Sequence, residues 1–319
     1  MRLYLDTNVY SMLANRGDAL AVRSLFSSRG VSVMVSSENL FEIWAIPSAE
    51  HQRREAEALL EVATEFEDLP LAYRHCREVL GELRRLRPEW VRNIVYYRKA
   101  RAFIAAHREN MQRFRDGWRP DPRAYAAYRR DAEPGIRISR EAQRMERSSY
   151  LKKDANLWLL TASKDSAQAV ARCDLNDPEQ AWRVNCLQVW HNAVVNRVPA
   201  SRDYVDYLGP YLRPEAFKDD RKTADFWLRE VDSTRMPLNR SSGLAHYFQL
   251  EHKISHGNPC DTLHACYLLN VEVFVTADTA FAKVLKEVQR CVSGRAQIVR
   301  IRRGTASTLK ELERIWGDA

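Results

Sequence analysis

The pattern of the chain predicts an α/β protein, a three-layer α/β/α core around a central parallel sheet, carrying a large and mostly α-helical insertion. Three observations support that expectation. Short runs of aliphatic and aromatic residues, Leu3-Tyr4-Leu5 and Val273-Phe274-Val275-Thr276, read as buried parallel strands bounded by polar residues. The first run is followed at once by Asp6 and the second shortly by Asp278, so both carboxylates stand at strand C-termini, the edge where open α/β sheets bind ligands. Between them the chain is far longer than one crossover, with 218 residues separating Glu42 from Asp261.

The elements follow in order. Val33-Met34-Val35 is a second strand ending at Ser36-Ser37, and Leu40, Phe41, Ile43 and Trp44 place Glu42 on a helix packed on the sheet. Leu59 to Leu69 supplies a helix end and a short third strand, with Phe66 and Leu69 facing the core. Leu71 to Leu86 reads as a helix stopped by Arg87-Pro88. From Trp90 to Trp118 the apolar residues Trp90, Ile94, Tyr97, Ile104, Met111 and Trp118 keep an amphipathic helical spacing. Gly117 to Pro122 and Glu133-Pro134-Gly135 read as breaks, and Ile136 to Tyr150 as a basic helix. Ala155 to Ala171 and Pro178 to Val195 are further helices, the second packing Trp182, Leu187, Val189 and Trp190; Val198 to Arg221 is turn-rich, and Thr223 to Val231 is a short helix. Asp261 opens a helix of about three turns that leads into the last strand described above. The expected organisation is a discontinuous core, 1–70 and 244–319, with a basic helical insertion, 71–243, docked on it; no repeat or low-complexity linker is evident.

Composition narrows the class. A chain of 319 residues with 45% hydrophobic content can bury one large core or two modest ones, so a compact α/β core plus something added is expected. No apolar run approaches the roughly 20 residues that cross a bilayer, and the N-terminus reads as a strand and acid motif rather than a signal peptide. A soluble, cytoplasmic protein is expected. Six cysteines without a C-x-x-C pair signal neither a zinc ribbon nor a redox motif, and are expected to be reduced. The net charge of +8 is concentrated: Leu71 to Lys153 holds 22 basic and 10 acidic side chains. Arginine outnumbers lysine roughly four to one, and the guanidinium fork suits phosphate. Arg92, Arg98, Lys99, Arg101 and Arg108 are the candidate nucleic-acid-binding residues, against the alternative of a solvated charged helix face.

Asp6 and Asp278 are delivered to one sheet edge by separate strands, and carboxylates gathered there with Glu42 and Asp261 repel one another unless a cation sits among them, so the four imply Mg²⁺ or Mn²⁺. Singly, each has a plainer role: a turn residue after a strand, or for Asp261, following Asn258-Pro259, a helix cap. Glu38 competes with Glu42 but lies near a helix N-terminus, where acids are favoured anyway. Thr7, Asn8, Ser36 and Thr276 are placed to orient these carboxylates by hydrogen bonds. Four histidines, His246, His252, His256 and His264, precede or follow Asp261; a zinc site on His252 and His256 lacks a third ligand fixed by spacing.

At Leu5-Asp6-Thr7-Asn8, at Val33 to Ser37 with Glu42 six positions after Ser36, and at Asp261-Thr262-Leu263-His264-Ala265-Cys266-Tyr267 followed by Thr276-Ala277-Asp278, the chain resembles the PIN-domain family. That is a metal-dependent ribonuclease fold that includes the VapC-type toxins. The resemblance covers roughly 1–70 and 244–319 and says nothing specific about the middle. It implies that Asp6, Glu42, Asp261 and Asp278 are both catalytic and metal-holding, in an endoribonuclease leaving 5′-phosphate and 3′-hydroxyl ends. It also implies a toxin or defence role, an antitoxin partner that plugs the acidic pocket, and a homodimer; the long insertion departs from the family's compact form. His264 becomes a candidate for contacting the scissile phosphate, against the alternative of a satisfied surface histidine. Two rivals stay open: a structure-specific DNA nuclease of the same fold, like the flap-nuclease relatives, and a non-catalytic nucleic-acid-binding protein.

Overall fold

A computed structural model describes residues 1–93, 98–117, 130, 133–152, 164–196, 202–213, 219–252, 258–302 and 308–317. In chain order the elements are β1 (Arg2–Leu5), α1 (Thr7–Arg16), α2 (Ala19–Ser28), β2 (Ser32–Val35), α3 (Ser37–Trp44), α4 (Ala49–Val62), β3 (Glu65–Phe66) and α5 (Leu71–Leu86). There follow α6 (Arg98–Gly117), α7 (Glu133–Lys152), α8 (Lys164–Val170), α9 (Pro178–Trp190), α10 (Arg202–Tyr207), α11 (Asp220–Asp225), α12 (Pro237–Gln249) and α13 (Asn258–His264). The last are β4 (Val273–Thr276), α14 (Thr279–Cys291), β5 (Gln297–Arg300) and α15 (Thr308–Gly317). They form two compact units: 1–68, 106–137 and 263–319 in one, 69–105 and 138–262 in the other.

The first unit is α/β, built on a five-stranded sheet in the order β3-β2-β1-β4-β5 with every pairing parallel. Leu3 stands opposite Val33 and Val273, and Tyr4 opposite Met34 and Phe274, so the apolar runs come into register. Because side chains alternate along a strand, Leu3, Leu5, Val33, Val35, Val273 and Val275 share one face. There they bury against Val9 and Leu13 of α1, Phe26 of α2 and Leu59 of α4. Gly17 closes α1 with φ +69°, a left-handed conformation that costs glycine little, and its amide bonds to the Leu13 carbonyl at 2.9 Å. Met111 and Phe114 of α6 are buried in the same core, which is why 106–137 belongs with the sheet and not with the expected insertion.

The second unit is helical. Its packing centres on Trp182 of α9, fully buried, whose Nε1 donates to the Asn239 carbonyl at 3.1 Å. Gly243 of α12 permits that approach, since a Cβ there would come within 2.6 Å of Trp182 Cδ1. Glu78 of α5 accepts from the Leu238 and Asn239 amides, both at 3.0 Å, satisfying donors that the start of α12 leaves open. Leu244 and Ala245 of α12 are fully buried and α12 packs on α5 and α9, so 244–262, expected in the core, falls in the helical unit.

Three local expectations are corrected. Trp90 is not on the basic helix: Pro88 starts a 3₁₀ turn, Pro88–Trp90, Val91 then bridges to Leu212, and α6 begins only at Arg98. Glu133-Pro134-Gly135 opens α7 and does not interrupt the chain, because proline in a first turn lacks only an N–H that would be unpaired there anyway. The helix expected to run about three turns from Asp261 is α13 followed by a 3₁₀ turn, Ala265–Leu269. Ile94, Tyr97, Trp118 and most of the helix expected from Ala155 lie outside the described residues. No helix among the described residues is long and apolar enough to cross a membrane. The six cysteines are thiols, not disulfides.

Candidate metal centre

The chain adds β2 and β3 on one side of β1, then crosses to place β4 and β5 on the other. The reversal opens a crevice between the C-terminal ends of β1 and β4, the position where open α/β sheets bind ligands. Asp6 occupies it. Its amide donates to the Val275 carbonyl at 2.9 Å, which ties it to β4. Asp6 also holds the N-cap position of α1, yet its side chain caps nothing. Instead Oδ2 accepts from Thr276 Oγ1 at 2.6 Å and from Asn8 Nδ2, and Oδ1 accepts neither bond. Asn8 Oδ1 in turn accepts from the Ala277 amide at 2.8 Å. The plain role of a turn or cap residue therefore does not describe Asp6, which is only 3% exposed.

Glu42 comes from α3, whose start is fixed by a reciprocal cap: Ser36 Oγ accepts from the Asn39 amide and Asn39 Oδ1 accepts from the Ser36 amide at 3.1 Å. His264 Nε2 donates to Glu42 Oε2 at 3.1 Å, and its Nδ1 lies 2.5 Å from Tyr4 Oη. Tyr4 Oη is 2.7 Å from Ser36 Oγ, which is 3.1 Å from Asn39 Oδ1. With both imidazole nitrogens protonated, donors run in one direction: His264 to Tyr4, Tyr4 to Ser36, Ser36 to Asn39. Burial alone would push the His264 pKa down, but Glu42, and then Asp6 and Glu38, carry it up to about 9. Burial pushes the Asp6 carboxyl up and Glu42 adds to this, against the His264 charge and the bonds from Thr276 and Asn8; the net direction is upward. His264 is the counter-charge of an acidic pair, Asp6 buried and Glu42 partly exposed.

Ligand atoms of Asp6, Glu42 and His264 all lie within 4.8 Å of one another. Oxygen ligands sit at about 2.0–2.6 Å from Mg²⁺ or Ca²⁺, so two ligands of one ion lie up to roughly 5 Å apart and this spread is within its reach. Both carboxylates suit a hard cation, and both nitrogens of His264 are already engaged, so the donor set fits a cation held by Asp6 and Glu42 with His264 orienting Glu42.

The remaining sequence candidates fall as follows. Asp278 caps α14, its Oδ1 accepting from the Ala280 and Phe281 amides at 2.7 and 2.9 Å, and it is outside the triad. Asp261 lies within α13, not at its cap, and its Oδ2 accepts from Gln249 Nε2 at 3.5 Å. Glu38 accepts from Tyr267 Oη, which also reaches Glu67 at 2.8 Å. Of the orienting groups, Asn8 and Thr276 touch Asp6, Ser36 acts through Tyr4, and Thr7 Oγ1 accepts from Asn39 Nδ2 at 3.2 Å. His264 is 0% exposed, which corrects both roles expected for it: a surface histidine and a contact to a scissile phosphate. His246 pairs with Glu146 at 2.6 Å, and His256 lies outside the described residues. Arg92, Arg98 and Arg101 are exposed, Arg108 Nε donates to the Asp68 carbonyl at 3.3 Å, and the Lys99 side chain is outside the described residues.

Sequence reasoning missed Tyr4, Asn39 and Glu55. Tyr4 had a signal: it alternates with Leu3 and Leu5, and a buried phenol needs a partner. Asn39 sits three residues after Ser36, the spacing of a capping box. Glu55 of α4 is a half-buried acid whose pKa burial raises, with Ser11 opposing and Glu42 adding to the shift; the polar face of α4 gave no sign of it.

No family model matches the chain, and searches of curated proteins and of solved structures find no match either.

Proposed function

We propose that the chain is a metal-dependent phosphodiesterase, and within that class an endoribonuclease of the PIN-domain kind, cutting RNA to 5′-phosphate and 3′-hydroxyl products. The observation that carries this reading is Asp6 at the topological switch point, buried, not capping, and within 4.8 Å of Glu42 and His264. Mg²⁺ or Mn²⁺ bound by Asp6 and Glu42 would supply a Lewis acid that lowers the pKa of a coordinated water. Thr276 and Asn8 fix Asp6 Oδ2 and thereby the direction of Oδ1. His264 holds the Glu42 carboxylate, and its charge opposes the rise that burial imposes on the Asp6 carboxyl. Asp261, one helical turn before His264, and Asp278 after β4 are assigned to the same chemistry on sequence grounds. The arginine-rich segment, including Arg92, Arg98, Lys99, Arg101 and Arg108, is assigned to gripping phosphates. A toxin or defence role, with an antitoxin covering the acids, follows from the same reading.

The test is cleavage of end-labelled structured RNA with Mg²⁺ or Mn²⁺ by the wild type, Asp6→Asn, Glu42→Gln and Asp278→Asn. Cleavage lost in Asp6→Asn and Glu42→Gln with RNA binding retained is the expected result. Equal activity in all four would sink the nuclease reading. Cutting of DNA alone would transfer it to a structure-specific DNA nuclease, and tight metal-independent binding without cutting would favour a binding protein.

A further inference from the structure

The helical unit has a cleft that the reading above does not use. It is an open cleft of about 320 Å³ between α8 and α11 with the turn that follows α11, and its walls are charged. Arg172 comes from the α8 side, Arg221 and Arg229 from the α11 side, with Asp165, Gln168 and Asp225 among them. Arg229 is paired with Asp225 at 3.1 Å. Arg172 and Arg221 have no carboxylate partner among the described residues. These two guanidinium groups line the cleft from its two sides, neither of them in an ion pair among the described residues, and form a place for an anion that accepts two forks at once.

The walls, α8 and α11, pack directly on each other, and α8 is also tied to α9. His191, at the end of α9, lies 3.2 Å from Ser166 of α8, and both are buried. Ala224 of α11 and Ala169 of α8 line the cleft with methyl groups, which leaves its volume open. That volume falls at the small end of the range for small-molecule sites, about 300–1,000 Å³. A surface for an RNA backbone would carry one sign of charge. Here Asp165 and Asp225 share the cleft with the arginines, so the fitting ligand is amphoteric: an anion at one end and hydrogen-bond donors at the other.

We propose that this cleft binds a nucleoside monophosphate, its phosphate between Arg172 and Arg221 and its hydroxyl or amino donors towards Asp165. The site is separate from the Asp6 centre and does not depend on any nuclease activity.

The experiment is calorimetric titration of the full chain with AMP, GMP, CMP and UMP, and with inorganic phosphate, for the wild type, Arg172→Ala, Arg221→Ala, the corresponding lysine variants and Asp6→Asn. Saturable one-to-one binding of at least one nucleotide is expected, weakened about tenfold to a hundredfold by either alanine, the size of a lost charged hydrogen bond. The lysine variants should fall between, because they keep charge and lose the fork, and Asp6→Asn should bind like the wild type. Circular dichroism establishes that each variant is folded, and both arginines are exposed. Absence of saturable heat with every nucleotide would overturn the proposal. So would binding indifferent to both arginines, binding lost in Asp6→Asn, or phosphate binding as tightly as any nucleotide.

Discussion

The two faces of one sheet put neighbouring residues to opposite uses. Leu3 and Leu5 point into an aliphatic core with Val33, Val35, Val273 and Val275. Tyr4, between them, points the other way, stacks on Tyr267 at 4.6 Å and 9°, and contacts Phe274 at 5.0 Å. On the first face burial yields stability roughly in proportion to apolar area. On the second, equally complete burial fixes polar groups: the Tyr4 hydroxyl joins Ser36 to His264, and His264 holds Glu42. Alternation thus lets a four-residue strand anchor a core and aim a site with no residue serving both.

That contrast can be broken from either side. The largest effect expected is on activity: Asp6→Asn should lower metal-dependent cleavage by at least about a hundredfold, since loss of a ligand's supporting partner alone costs tenfold to a hundredfold. Its melting temperature should not fall, because a buried charge is removed. Leu5→Ala should do the reverse, costing roughly 2–5 kcal/mol in denaturant unfolding. At a temperature where the variant is folded, its cleavage rate per molecule should be near that of the wild type.

A pH series sharpens the comparison. The pKa of His264 rises from 6.5 to about 9 on folding, so it contributes stability that is full below about pH 6.5 and is lost as pH rises through about 9. The range is of order 3 kcal/mol. The raised Asp6 pKa acts in the same direction at lower pH. His264→Gln should flatten the loss between pH 6.5 and 9 in chemical denaturation; an unchanged slope would place the charge elsewhere. Tyr4→Phe, which keeps the stacked ring and deletes the hydroxyl, should cost about 1–3 kcal/mol by leaving buried partners unmatched. The smallest effect belongs to Asp278. Asp278→Ala should lose about 1 kcal/mol of helix capping while Asp278→Ser keeps it, so any activity lost in the serine variant reports the carboxylate and not the cap.

Much of the sheet is legible in the sequence because buried parallel strands are short apolar runs, as at Leu3 to Leu5 and Val273 to Thr276. The strand β5 is not. As an edge strand, Gln297 to Arg300 is exposed at both ends and carries only Ile298 and Val299 as apolar residues. Met111 and Phe114 carry helical spacing, but spacing does not say which core receives them. At the site, Asp6 and Glu42 are legible from their positions after strands. The burial of His264 is not, since it depends on a tyrosine hydroxyl on a strand 260 residues away.

The bond between Asp6 and Thr276 spans 270 residues of chain. During synthesis the β4 neighbour of β1 leaves the ribosome only after that interval, roughly 14 to 54 s at 5–20 residues per second. Until then one edge of β1 has unpaired backbone groups, and the carboxylate of Asp6 lacks the hydroxyl that holds it. This strand order delays the finished Asp6 site until β4 has been made.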